Sequence, residues 1–112
     1  MHNDIIDNNC ADKYLQHLIS MIYAVNTNWE IYRALNPDLQ IRLKTPDDYN
    51  KHIFEYGLRE NRELKLTDRF PSFNRDIYRK NYPDLSHMND TDLEIHYINI
   101  GHIEGRICDV II

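Results

Sequence analysis

One stretch of this chain is written twice, and a repeat restricts the possible folds more tightly than any composition does. Ile31-Tyr32-Arg33, Pro37-Asp38-Leu39, His52 and Gly57-Leu58-Arg59-Glu60-Asn61-Arg62 return as Ile77-Tyr78-Arg79, Pro83-Asp84-Leu85, His96 and Gly101-His102-Ile103-Glu104-Gly105-Arg106. The front halves are offset by 46 positions and the back halves by 44, so the second copy is shorter in the loop between them. A unit of this length cannot bury its own apolar face, so the copies are expected to stack and share a core. Positions common to both copies are expected to serve the unit's architecture. Function is expected where the copies differ, or on the surface they build together.

A chain of 112 residues has room for one compact domain. An apolar share of 42% and eight tyrosines describe a packed globule despite 28% charged residues. The expected division is a flexible leader over residues 1–10, a leading helix over 11–26, the first repeat over 27–66, the second over 67–108 and an apolar tail over 109–112.

The spacing of Tyr14, Leu15, Leu18, Ile19, Ile22 and Tyr23 predicts an amphipathic helix from Ala11, capped by Asn9 or Asp12 and covering the end of the first repeat. Asn26-Thr27-Asn28 ends it and offers a cap for a second helix, with Trp29, Tyr32 and Leu35 on one face. That helix stops before Pro37, because the residue preceding a proline is pushed out of the α region. Pro37-Asp38-Leu39 reads as a turn. Thr45-Pro46-Asp47-Asp48 starts a third helix with a hydroxyl cap, a first-turn proline and acids at the positive end of the dipole. It is expected to run to about Tyr56, with Gly57 as the left-handed residue that closes it.

In the second copy Phe73 and Asn74 open a helix bearing Ile77 and Tyr78. Asp90 or Thr91 caps another that ends at Gly101, with Leu93, Tyr97 and Ile100 in the places of Tyr49, Ile53 and Tyr56. Sustained strand alternation is missing, although Leu64-Lys65-Leu66 and Val110-Ile111-Ile112 read as short extended pieces. The expectation is an all-α domain of about five helices: a leading helix and two stacked helix-turn-helix repeats.

The order aromatic-x-x-x-x-Tyr, Asn/Tyr-Pro-Asp-Leu, then His-x-x-x-x-Gly-x-x-Glu-Gly-Arg resembles a short repeat of bacterial and giant DNA virus proteins, often found in tandem. Tyr32, Asn36-Pro37-Asp38-Leu39, His52, Gly57, Glu60 and Arg62 carry the likeness in the first copy, with Asn61 where that family commonly has glycine. Phe73, Tyr78, Pro83-Asp84-Leu85, His96-Tyr97, Gly101 and Glu104-Gly105-Arg106 carry it in the second. The bacterial copies are frequently attached to glycosyltransferases and other surface-polysaccharide proteins. The resemblance therefore implies an accessory module rather than an enzyme, with a protein partner or a glycan as ligand, and a host cytoplasm or virion as its location if viral.

A net charge of −5 and a pI near 5.6 have the wrong sign for neutralising phosphates, so nucleic acid is disfavoured. The candidates for a local basic patch are Arg59, Arg62, Arg69, Arg75, Arg79 and Lys80. No run of about 20 apolar residues suits a membrane span, no signal-like segment opens the chain, and a soluble intracellular protein is expected. Cys10 and Cys108 show no metal-ligand spacing and read as free thiols rather than a terminus-to-terminus disulfide. No cofactor or metal is expected.

His52 and His96 recur at one place on the core-facing stripe, where a histidine holds a turn together more often than it catalyses. Glu60 and Glu104 lie in equivalent places of two stacked units, too far apart to act on one sugar. Arg62 is expected to fasten onto Asp38, and Arg106 onto Asp84. Phe54 and Tyr82, expected outside the stripe, are candidate interface residues. Val110, Ile111 and Ile112 are apolar enough to tuck against the second unit or into another subunit, which favours a homodimer.

Overall fold

The computed structural model describes the backbone of residues 2–112 and the side chains of residues 12–112. Among the described residues the fold is all α, with no strand. Its helices are α1 (His2–Asn26), α2 (Trp29–Leu35), α3 (Pro46–His52), the single turn α4 (Leu66–Arg69), α5 (Arg75–Asn81) and α6 (Asp90–His96). Pro37–Ile41 and Pro83–Leu85 are 3₁₀ turns, while Ile53–Gly57 and Tyr97–Gly101 are π-helical turns. The order helix, 3₁₀ turn, helix, π turn thus occurs twice. The leader expected over residues 1–10 continues α1 in its backbone, and the cap expected at Asn9 and the thiol of Cys10 lie outside the described side chains.

The starts of the helices follow from local chemistry. Asn28 caps α2 by accepting from the Glu30 and Ile31 amides, and Asn74 caps α5 by accepting from Ile77. Thr45 and Asp48 exchange bonds in a capping box at α3. The cap of α6 is Asn89, which accepts from the Asp92 amide; Asp90 and Thr91 already belong to the helix. An asparagine one residue earlier reaches the third amide, as a cap must.

The ends differ from expectation. Gly57 and Gly101 are not left-handed; the positive φ angles belong to Asn61 (55°) and Gly105 (72°), four residues later. The chain passes first through a π turn, whose wider spiral rotates the last residues of the stripe. Tyr56 and Ile100, expected inside, therefore face water, and Gly57 and Gly101 face inward in their place. A Cβ on Gly101 would collide with the Tyr78 hydroxyl, and one on Gly57 would stand 3.1 Å from Leu64 Cδ2. Gly101 is required by closeness rather than handedness, and at Gly57 a side chain would need the Leu64 methyl to shift by a few tenths of an ångström.

Two apolar clusters form the core. The first holds Tyr32, Leu39, Tyr49, Ile53 and Leu64. The larger one joins Ile31 and Leu35 of α2 to Leu66, Tyr78, Leu85, Leu93, Tyr97, Ile98 and Cys108. Leu66, expected to close the first repeat, is buried in the core of the second. Arg69 adds a polar fastening across the same junction by donating to the Leu35 carbonyl (2.9 Å) while pairing with Glu63.

The leading helix packs against the π turn Ile53–Gly57, but not through its apolar stripe. His17 meets Phe54 edge-on with centroids 5.1 Å apart, and Ala24 packs on the first cluster. Tyr14, Leu15, Ile19, Ile22 and Tyr23 are exposed instead.

Candidate functional site

In the first unit the shared residues converge on one polar chain, and the second unit keeps its two ends, the Tyr78–His96 bond and the Arg106 pairs with Asp84 and Glu104. The Tyr32 hydroxyl lies 2.9 Å from His52 Nδ1, and the Tyr78 hydroxyl 2.8 Å from His96 Nδ1. Burial pushes both tyrosines up to about 12, so they stay protonated and donate. Burial also pulls His52 below the usual histidine range, outweighing the nearby Glu60 carboxylate. The neutral ring accepts at Nδ1, carries its proton on Nε2, and turns that edge toward Glu60 Oε1 at 3.5 Å.

From Glu60 the chain continues outward. Arg62 Nε donates to Glu60 Oε1 at 2.6 Å, and its two terminal nitrogens grip Asp38 at 3.1 and 3.0 Å. The Arg62 hydrogen bond holds both carboxyls below the usual carboxylate range. Arg62 also donates to Asn36 Oδ1 at 3.2 Å, and the buried Asn36 amide bonds the Tyr32 and Glu63 carbonyls. Pro37 starts the 3₁₀ turn that carries Asp38 to this point, as Pro83 does for Asp84.

The second unit is a variation on the first. Arg106 reaches Asp84 at 3.2 Å and Glu104 at 3.7 Å. Tyr82 stands in the place of Asn36, sets its ring 4.6 Å beneath the Arg106 guanidinium, and accepts from the Ile107 amide at 2.7 Å. Tyr82 and Phe54 are half-buried, each in contact with another side chain of the chain.

Chemically, this arrangement is closed. In the first unit Tyr32, His52, Glu60, Arg62 and Asp38 are taken up by one another, which suits fastening the tail of the unit to its Pro-Asp-Leu turn. Arg62, Arg69, Arg75 and Arg79 of the expected basic patch are each paired with acids, Arg75 and Arg79 both with Asp90. No group of three or more potential metal ligands occurs among the described residues. Nor is any described helix long and apolar enough to cross a membrane.

Two contributions escape the sequence reading, those of Asn36 and Asn81. In the sequence Asn36 stands in the repeat motif before Pro37, with nothing local to give its side chain a role. Asn81 holds the tail, donating to the Ile107 and Val110 carbonyls and accepting from the Ile112 amide. Its counterpart in the first copy is Leu35, so a polar residue replacing a core leucine is the available signal. The tail backbone is therefore tied down while the Val110, Ile111 and Ile112 side chains stay exposed.

A groove of about 290 Å³ runs between α1 and the first π turn, lined by Gln16, His17, Ser20, Phe54, Tyr56 and Arg59 among others. A scan against protein-family models found no match, and searches of curated proteins and of solved structures found none either.

Proposed function

We propose that this chain is a non-enzymatic helical repeat module that mediates protein–protein association. One observation carries the reading: large aliphatic side chains of α1 and of the tail stand in water, while the shared Tyr, His, Glu, Arg and Asp of the first unit are engaged with one another. Exposed apolar surface on this scale is characteristic of interaction sites. The resemblance of the repeats to accessory modules supports the same role. Sedimentation of the full chain at rising concentration tests it, with oligomers expected; a strictly monomeric species up to hundreds of micromolar removes self-association.

The groove beside α1 favours a second reading, a carbohydrate-binding accessory module. Phe54 and Tyr56 lie there next to an amide, a hydroxyl and a guanidinium, a combination that suits sugar rings and their hydroxyls. A glycan array decides between them. Binding that disappears in Tyr56→Ala supports the sugar reading, and a blank array removes it.

A further inference from the structure

The leading helix is amphipathic in the wrong direction for its own domain. Its small and polar edge, with His17, Ser20 and Ala24, lies toward the first unit, as the Phe54 contact, the groove and the apolar cluster all show. Leu15, Ile22 and Val25 are nonetheless 54%, 59% and 83% exposed, with Ile22 at the rim of a cleft that it shares with Leu64, Lys65 and Asp68. With the half-buried Leu18 they follow one another at intervals of 3, 4 and 3 residues, the spacing of a seam between two paired helices.

Tyr14, Ile19 and Met21 flank that seam and are exposed as well. Together the exposed side chains leave on the order of 700 Å² in water, close to the roughly 800 Å² that one partner contributes to a stable interface. Charge selects the orientation. Asp4, Asp7 and Asp12 all precede Leu15 in the helix sequence, and Lys13 is the one lysine or arginine in residues 1–26. A parallel pair would bring the acids of both copies together, whereas an antiparallel pair sends them to opposite ends.

We infer that α1 is the docking surface for a second copy of this chain, the two α1 helices pairing antiparallel so that Leu15 opposes the second copy's Val25 and Leu18 opposes its Ile22. This rests on the association reading above and names both its partner and its surface. The face is independent of the tail, which lies on the second unit.

Light scattering on the full chain under reducing conditions tests the pairing. The wild type is expected to dimerise. Leu15→Glu and Val25→Lys are each expected to weaken the dimer at least about tenfold by placing a charge in an apolar layer, without unfolding a chain in which both sites are exposed. Mixing these two variants is expected to restore the dimer, because the introduced carboxylate of one chain then faces the introduced ammonium of the other. An Ile111→Glu chain is expected to dimerise like the wild type. Loss of the dimer in Ile111→Glu but not in Leu15→Glu overturns pairing through α1 and leaves the association reading standing. Failure of the mixture to recover overturns the antiparallel arrangement. A wild type that stays monomeric overturns both self-association and the pairing, and if it also binds neutral phosphatidylcholine vesicles, the face belongs to a lipid surface.

Discussion

Tyr32 and Tyr49 are both buried tyrosines of the first unit, and their hydroxyls meet opposite conditions. That of Tyr32 donates to His52, while that of Tyr49 is buried without a hydrogen-bond partner. An unpaired buried hydroxyl costs about 1 to 3 kcal/mol, so Tyr49→Phe is expected to stabilise the fold and Tyr32→Phe to destabilise it by a similar amount. Urea unfolding of the two variants checks this, and stabilisation by Tyr32→Phe contradicts the bonding scheme. The second copy has leucine at the place of Tyr49, so the unit does not need that hydroxyl. His52 gives a pH dependence. Its folded pKa lies below the ordinary value of 6.5 because of burial, so the unfolded chain takes up a proton that the folded ring resists. Stability from this group is complete above pH 6.5 and falls as the pH drops through the folded pKa. The drop in urea midpoint between about pH 7.5 and about pH 5 is expected to be smaller in His52→Gln than in the wild type. At this scale the shared residues are legible from the repeat, and the Arg62 and Arg106 pairs are legible from charge and spacing. Tyr32 as the partner of His52 is not, because 20 residues separate them and only the packing of α2 on α3 brings them together.

Caps are legible because they depend on three or four consecutive residues, and the starts of α2, α3 and α5 show it. The π turns are not, since nothing in Ile53-Phe54-Glu55-Tyr56-Gly57 demands an extra residue per turn. Tertiary packing decides what the second of these turns accepts: Gly101 comes so close to the Tyr78 hydroxyl that no side chain fits. Gly101→Ala is therefore expected to cost about 3 kcal/mol through overpacking. Gly105→Ala, at φ 72° with open space around it, is expected to cost about 1 kcal/mol through backbone strain alone. Thermal unfolding ranks the two, and equal costs would return the glycine of the π turn to a mere chain-reversal role. Asn61 holds the equivalent left-handed position in the first unit, which asparagine tolerates better than most residues.

The whole molecule is held together by a core that ignores the boundary between the copies. Leu66 of the connecting segment is 1% exposed because it enters the cluster of the second unit, while its counterpart Val110 is 57% exposed. With Ile31 and Leu35 in the same cluster, the two units are expected to unfold as one. Leu66→Ala is expected to cost about 2 to 5 kcal/mol and to shift the fluorescence of Trp29, in the first unit, together with the far-ultraviolet signal of all helices. Separate transitions would show that the units fold independently. The all-α class, the duplicated plan, most helix starts and the arginine fastenings can be read from the chain alone, since they depend on residues near one another or on matching charges. The junction at Leu66, the inward glycines and the direction of α1 come from packing, which no local pattern encodes. A helical stripe states that a face is apolar but not what it faces, and here the small residues on the opposite edge fit the first unit more closely.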